Sequence, residues 1–243
     1  MSWSPEQYTK FEDERTRPAR DLLQAVSTVR VKAAADLGCG PGNSTELIAA
    51  RFTDASIVGV DNSPEMIEAA RKRLPDIQFQ LCGIEEWSEP GPWGLIYANA
   101  ALQWVPNHQR LLPALVSGLA PGGTLAVQMP DNLQEPSHTA MRTIALQKQF
   151  IAKLADAVEA RTKLGSADWY YSLLRPLCSR VDVWRTTYFH PLSGGIDAIV
   201  EWVKGTALMP YLNPLSETER EAFVAAYKDE LAKAYTVMDS GTV

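Results

Sequence analysis

The sequence has 243 residues, of which 46% are hydrophobic and 21% charged, and its formal net charge is −6. This composition is typical of a folded globular chain, and the negative charge argues against nucleic-acid binding, which needs a basic surface. No apolar stretch approaches the ~20 residues of a membrane-spanning helix. The polar, mixed-charge first residues do not resemble a secretory signal. Three widely spaced cysteines suggest neither a disulfide framework nor a metal-ligand motif. We therefore expect a cytoplasmic protein without a metal centre, whose partners are small molecules rather than nucleic acid or membranes.

The first 30 residues carry two helical patterns. Ser4 and Pro5 resemble a helix start, because serine caps a helix and proline suits its first position. Tyr8 and Phe11 follow as a short apolar stripe. We expect residues 1–30 to cap the ligand site, with these aromatic rings covering a ligand. Ordinary helix packing is the alternative role for the same stripe.

Residues 31–136 alternate short apolar runs with helical patterns. The runs at 32–37, 56–60, 77–81, 95–98 and 124–129 predict five strands. Strands alternating with helices indicate crossover connections and a doubly wound, mostly parallel α/β sheet. Ligands bind such sheets outside the carboxyl ends of the strands. We expect this segment to be a cofactor-binding core.

The alternation stops after about residue 137. Helical patterns fill most of residues 137–243, apart from alternating polarity over 181–189, which predicts one further sheet strand. We expect this segment to form a helical lid within the same domain.

The first predicted strand ends in a turn containing Gly38, Gly40 and Gly42, and polar residues then open a helix. A glycine turn before a helix lets the backbone approach a ligand closely and directs N–H groups towards it. Asp61 ends the second strand, 21 positions after Gly40, where a ribose-binding carboxylate belongs in a nucleotide-binding unit. The pattern predicts a cofactor that contains adenosine.

Two residues beside this turn bear on the choice of cofactor. The dinucleotide pattern G-x-G-x-x-G ends in glycine, whereas Asn43 occupies that position here. Asp36 precedes the turn by two residues and would repel a pyrophosphate. Both features count against an NAD-dependent oxidoreductase, which remains the less favoured alternative.

The segment Ala35 to Thr45, ADLGCGPGNST, resembles the first motif of class I S-adenosylmethionine-dependent methyltransferases. Further segments at 8–23, 62–67, 98–106, 126–132 and 181–192 resemble those members that esterify a carboxylate of a small tricarboxylic acid, trans-aconitate. Together the matching segments run through nearly the whole chain in order. The resemblance implies a Rossmann-like methyltransferase fold, S-adenosyl-L-methionine as cofactor and S-adenosyl-L-homocysteine as product. Two alternatives to trans-aconitate as the methyl acceptor stay open: another free acid, and an acid held as a thioester.

The predicted cofactor-binding residues follow the strand ends and the resemblance. They are Asp36, Gly38, Gly40, Gly42, Asn43, Asp61, Asn62, Ser63, Met66, Cys82, Gly83, Ile84, Asn99, Ala100, Gln103 and Trp104. Members of the group usually have aspartate after the third strand, near the adenine amine, where this chain has Gly83. Backbone groups of residues 82–84 would then recognise adenine. The group also ends its sheet with an antiparallel strand that the residues up to Val243 do not offer, so either the sequence stops short of it or the sheet edge differs.

A carboxylate acceptor is already ionised at neutral pH, since carboxyl pKa values lie near ~4. No general base is needed, and we expect no catalytic side chain in the strict sense. A substrate with three carboxylates needs local cations, and arginine matches a carboxylate with two parallel hydrogen bonds. The predicted substrate-binding residues are Tyr8, Phe11, Arg15, Arg17, His138, Trp184 and Arg185. For the three arginines, solvated surface positions are the alternative.

A third function, an interaction module that binds cofactor without catalysis, is disfavoured by the retained strand-end residues.

Overall fold

A computed structural model describes residues 11–28, 30–161 and 163–243. Within these ranges the chain divides into two compact units. The first, the sheet unit, comprises residues 12–130 and 163–186 of the described chain. The second, the helical unit, comprises Phe11, residues 131–161 and residues 187–243. The predicted segments 1–30, 31–136 and 137–243 stay predictions, and the described residues 12–28 lie in the sheet unit.

The sheet unit is built on five parallel strands in the order β3-β2-β1-β4-β5. The strands are β1 (Ala33–Leu37), β2 (Ser56–Asp61), β3 (Gln78–Leu81), β4 (Trp93–Asn99) and β5 (Leu119–Gln128). The order reverses between β1 and β4, and such a switch point opens a crevice for ligands at the carboxyl ends of the strands. The predicted doubly wound α/β fold is confirmed.

Helices of the sheet unit pack on both faces of the sheet. The described chain has ten α-helices. In chain order they are α1 (Glu12–Ala25), α2 (Asn43–Arg51), α3 (Pro64–Arg73), α4 (His108–Ser117), α5 (Pro136–Ala145), α6 (Ile151–Val158), α7 (Ala167–Leu174), α8 (Gly195–Lys204), α9 (Met209–Leu212) and α10 (Glu217–Ala234). Successive strand side chains point to opposite faces. Accordingly Leu95 and Tyr97 pack with residues of α1 and α2, whereas Ile96 and Ala98 pack with residues of α4 and α7.

The helical unit has its own apolar core. Fully buried members include Ile144 of α5, Leu154 of α6 and Leu208 before α9, and they pack with Phe223 and Tyr227 of α10. Helix α10 begins at a capping box of Ser216 and Glu219. Within the described ranges, no helix combines the length and apolar character that crossing a membrane requires.

Three predictions about secondary structure are corrected. Residues 181–189 form no strand: they are irregular and mostly exposed, with Phe189 at 85% exposure, and an exposed extended segment alternates in polarity as a strand does. The long helical pattern after residue 137 is divided into α5 and α6 by residues 146–150. The strand predicted at 124–129 begins earlier, at Leu119, and has an irregularity where pairing passes from Leu119 to Thr124. The helix predicted from Ser4, with Tyr8, lies outside the described residues.

One buried hydrogen bond joins α1 to the sheet. The hydroxyl of Tyr97, 1% exposed, donates to the carbonyl oxygen of Ala19 at 2.6 Å. We predict that Tyr97→Phe lowers the free energy of unfolding by about 1–2 kcal/mol, because the buried carbonyl loses its donor. Urea unfolding measures this. Tyr171→Phe, at an exposed tyrosine of α7, is the control and should change stability by less than about 0.5 kcal/mol. Equal effects of the two substitutions would contradict the assignment.

Candidate functional site

The loop between β1 and α2 depends on its glycines. Gly38, Gly40 and Gly42 have φ values of +74°, +54° and +94°, in the left-handed region that other residues rarely adopt. The amides of Gly38 and Cys39 donate to the carbonyl oxygen of Val60 at 2.7 and 3.0 Å. The loop is therefore fastened to the end of β2.

Three strand-end loops meet around this turn. A β-carbon added at Gly38 would lie 2.3 Å from the Cβ of Ala101 and 3.6 Å from the Cδ1 of Ile84. Because Ala101 follows β4 and Ile84 follows β3, the loops after β1, β3 and β4 converge here. At Gly40, by contrast, an added β-carbon would have no described atom within 4 Å. The space above Gly40 can therefore hold a ligand against the backbone.

Asp61 connects the glycine loop to the start of α3. Its Oδ2 accepts from the amide of Gly40 and its Oδ1 from the amide of Ser63, both at 2.9 Å. Burial raises the pKa of Asp61, and the backbone donors of Ser63, Gly40 and Asn62 oppose this rise. The carboxylate is half-buried, and each oxygen can accept a further bond. It is suited to bind hydroxyl groups of a ligand.

Asp36 lies near the end of β1, before the glycine loop. It is fully buried, and its Oδ2 accepts from the hydroxyls of Ser44 and Thr45 at 2.7 and 2.6 Å. Its Oδ1 has no hydrogen-bond partner within the described residues, so its direct contact with a cofactor stays a prediction. Asp36 anchors the first turn of α2 to the end of β1, a role for which its sequence position beside the loop gave no indication.

Asn43 is likewise engaged by the protein. Its side-chain nitrogen donates to Glu12 of α1 at 2.6 Å, and Arg73 of α3 donates to the same carboxylate oxygen at 2.6 Å. Glu12 and Asp36 therefore place two carboxylates around the beginning of α2. A pyrophosphate would normally bind a helix N-terminus, because the helix carries a partial positive charge at that end. The two carboxylates disfavour a pyrophosphate at the start of α2.

The segment after β4 carries unsatisfied acceptors. Oδ1 of Asn99 and Oε1 of Gln103 are buried and have no hydrogen-bond partner within the described residues. Ala100 adopts a φ of +52°, and its amide donates to the backbone and side-chain oxygens of Gln128 at 3.0 and 3.1 Å. Because buried polar atoms nearly always have partners, these two oxygens are available to accept hydrogen bonds from a ligand or from water.

The remaining predicted cofactor residues are less directly exposed to a ligand. Met66 is 4% exposed, so it is mainly a packing residue of α3. Cys82 and Gly83 follow β3, where the amide of Cys82 donates to the carbonyl oxygen of Asp61 at 3.0 Å. Asn62 is exposed beside Asp61, and Trp104 is half-buried in the turn Leu102–Trp104.

The predicted substrate residues are not brought together in one unit. Arg15, Arg17, Trp184 and Arg185 belong to the sheet unit; Arg15 is half-buried and the other three are exposed. Exposed arginines bind anions weakly, because water screens their charge. Phe11, in the helical unit, stacks obliquely on Trp202 with ring centroids 5.1 Å apart. Tyr8 lies outside the described residues.

His138 is the predicted substrate residue that lies among other polar groups. It is buried in α5, and its Nδ1 is 3.1 Å from the hydroxyl oxygen of Ser137. Burial, Arg161 and Arg142 together lower its pKa to about 3, so the ring is neutral at physiological pH. Sequence reasoning missed both arginines. His138 and Arg142 are four residues apart, which puts them on one helix face, so this spacing could have revealed Arg142.

No metal site accompanies these residues. Across the ranges that the structure describes, no three or more His, Cys, Asp or Glu side chains are arranged to hold a metal ion.

Comparison with known proteins gives matches over the whole chain. Residues 34–123 match a model described as a methyltransferase domain. The chain is similar to the trans-aconitate 2-methyltransferase of Rhodopseudomonas palustris strain HaA2, with 51% identity over 99% of this chain and 94% of the relative. The enzyme of the same description from Sinorhizobium fredii is also 51% identical, over 100% of this chain and 94% of the relative.

Solved structures share the fold at much lower identity. The YcgJ protein of Bacillus subtilis covers 85% of this chain, and 88% of its own is covered, at 15% identity and a TM-score of 0.55. A putative methyltransferase in complex with the Haloferax volcanii Trm112 activator gives a TM-score of 0.53 at 17% identity, over 71% of this chain and 72% of that one. These likenesses support the α/β architecture only.

The buried carboxyl of Asp36 makes stability depend on pH. Burial, with a smaller contribution from Asp61, raises its pKa from 3.8 to about 6, against the opposing hydrogen bonds of Thr45 and Ser44. The folded state therefore holds this proton more tightly than the unfolded state does, and the resulting stabilisation is lost as the pH rises from about 4 to about 6.

We predict that Asp36→Asn, which keeps the acceptor oxygen without the charge, removes this dependence. Between pH 4 and pH 7 the wild type should lose about 2–3 kcal/mol of unfolding free energy relative to the variant. Urea titrations at several pH values measure the difference. Asp54→Asn, at an exposed carboxylate, is the charge-matched control. A constant difference between the wild type and the Asp36 variant would refute the assignment.

Proposed function

Because the chain belongs to the trans-aconitate 2-methyltransferase family, we propose that it transfers the methyl group of S-adenosylmethionine to a carboxylate of trans-aconitate. The products are a monomethyl ester and S-adenosylhomocysteine. The observation that carries this conclusion is the 51% identity that extends over 99% of this chain and 94% of its relative. It confirms the family resemblance, the enzyme class and the cofactor expected from the sequence.

The residues of the sheet unit fit this cofactor. When bound, it supplies an electrophilic methyl group on a sulfonium sulfur. The open space above Gly40 admits a ligand to the backbone, and Asp61 offers carboxylate oxygens to ribose hydroxyls. The unsatisfied oxygens of Asn99 and Gln103 suit a ligand rich in N–H and O–H donors, such as an ammonium or an amine. We assign cofactor binding to these residues, with Gly38, Gly42, Asn62, Ser63 and residues 82–84 shaping the loops around them.

The acceptor needs no base from the protein. A carboxylate is ionised at neutral pH, so the task of the protein is to position one of its oxygens in line with the breaking carbon–sulfur bond and to exclude water. His138 is our proposed substrate contact, because its neutral ring can donate a hydrogen bond to a carboxylate. The substrate roles of Tyr8, Phe11, Arg15, Arg17, Trp184 and Arg185, and the lid role of the helical segments, stay predictions.

A nicotinamide cofactor fits less well. The start of α2, where a pyrophosphate would bind, is surrounded by the carboxylates of Asp36 and Glu12. A sulfonium cofactor carries no phosphate, so this arrangement does not oppose it.

A cytoplasmic location and the absence of nucleic-acid and membrane partners are part of the proposal. We base the location on the three widely spaced cysteines, Cys39, Cys82 and Cys178, whose pattern suggests no disulfide framework. The net charge of −6 likewise disfavours nucleic acid.

Methyl transfer can be measured directly. We expect purified protein to transfer label from methyl-labelled S-adenosylmethionine to trans-aconitate faster than to other di- and tricarboxylates, and to bind S-adenosylhomocysteine but not NAD. Mass spectrometry identifies the ester, and calorimetry measures the binding. Labelling of a different acid would shift the substrate assignment, and NAD binding without S-adenosylhomocysteine binding would overturn the enzyme class.

The glycine loop can be tested with a matched pair. Gly40 and Gly122 both have positive φ, +54° and +77°, and an added β-carbon meets no described atom within 4 Å at either. Gly40→Ala and Gly122→Ala should therefore have similar backbone strain, costing about 1 kcal/mol. Only Gly40→Ala should weaken S-adenosylhomocysteine binding, by about tenfold or more, because its methyl group fills ligand space. Unchanged affinity in the Gly40 variant would remove this loop from the cofactor site.

A further inference from the structure

A group of cationic and polar side chains lies within the helical unit, apart from the glycine loop. His138 and Arg142 are one turn apart on α5, Arg161 follows α6, and Tyr211 lies in α9. His138 and Tyr211 are 8% and 7% exposed, and the two arginines are half-buried. The four residues come from α5, from the chain after α6 and from α9, so the tertiary fold assembles them.

The four groups interact electrostatically. Arg142 and Arg161 both act on His138 and on Tyr211, and Arg142 also lowers the pKa of Arg161, although burial is the larger cause. Two like charges are therefore held near one another in a partly desolvated place. Such an arrangement is unfavourable for the free protein and is relieved by a bound anion.

The neighbours of this group include one uncharged acceptor and two carboxylates. Arg161 donates to the side-chain oxygen of Asn132 at 2.6 Å, which is an uncharged acceptor. The carboxylate of Asp131 acts on Arg161, and that of Glu159 acts on Tyr211. Asp131 and Glu159 are both exposed, so water weakens their effect, whereas the guanidinium groups are half-buried. The less solvated part of the group is cationic.

We propose that Arg142 and Arg161 form a binding site for the carboxylates of the substrate, with His138 and Tyr211 as neutral hydrogen-bond partners, and that this site selects an acid with several carboxylates. The inference rests on the proposed function, whose substrate class it explains. Arginine binds carboxylate with two parallel hydrogen bonds, and such bonds strengthen where water is reduced. A neutral histidine beside them donates a hydrogen bond without adding a third positive charge.

The test compares Arg142→Gln and Arg161→Gln with Lys233→Gln. Lys233 is an exposed residue of the same unit, paired with Glu230, so its variant loses one positive charge at the surface. Calorimetry on protein saturated with S-adenosylhomocysteine measures the Kd for trans-aconitate, and steady-state kinetics give the KM for each substrate. Each arginine variant should raise the Kd and KM for trans-aconitate by about tenfold or more. The affinity for S-adenosylhomocysteine should stay within about twofold, and the lysine variant should match the wild type.

Arg142→Lys and Arg161→Lys keep the charge and remove the planar fork, so they serve if a glutamine variant does not fold. They should raise the same constants by several-fold. Unchanged trans-aconitate binding in the arginine variants, with an active wild type, would overturn the site and leave the function standing. Binding that depends on both arginines, without methyl transfer, would overturn the function and leave the site standing. A wild type that does not bind trans-aconitate would overturn both.

Discussion

The carboxylate of Asp61 accepts the two hydrogen bonds on which the proposed ligand-binding edge of the sheet depends. Its two oxygens accept the amides of Gly40 and Ser63 and so connect the loop after β1 to the first turn of α3. The loop can offer its amide in this direction only because its glycines adopt positive φ. Asp36 supports the same loop from beneath, through Ser44 and Thr45. The backbone is thus fixed before a ligand arrives, which reduces the entropy lost on binding.

The two units differ in the sign of the charge near their proposed sites. Asp36, Asp61 and Glu12 surround the glycine loop of the sheet unit, whereas Arg142 and Arg161 lie in the helical unit. The two substrates differ in the same sense. The cofactor carries a sulfonium and an ammonium against one carboxylate, and the acceptor is a polyanion. An acidic protein can therefore bind a polyanion without a basic surface, because the cations are concentrated where the fold reduces their hydration.

The sequence predicted those features that depend on residue spacing within a short segment. The glycine loop, Asp61 and the parallel strands were found because each is defined within a few residues or by a regular alternation. The role of Asp36 was missed, since its burial depends on packing that no local pattern records. The strand at 181–189 was wrong, because polarity alternates in an exposed extended segment as well. Arg161 was not predicted because it lies after the end of α6. It contacts Asn132, 29 residues away, only in the folded chain.

The division of the chain into two discontinuous units limits how the protein can be dissected. The backbone passes from one unit to the other near residues 11, 130, 161 and 186. Neither unit is therefore one uninterrupted stretch of polypeptide, and no single truncation can yield either of them intact. Truncation directly after residue 130, for example, would remove residues 163–186 from the sheet unit. Among them is Tyr170 of α7, whose hydroxyl oxygen lies 2.8 Å from Nδ1 of His108. Separate production of the units would require joining distant segments with new linkers, so the two units are best produced together as one chain.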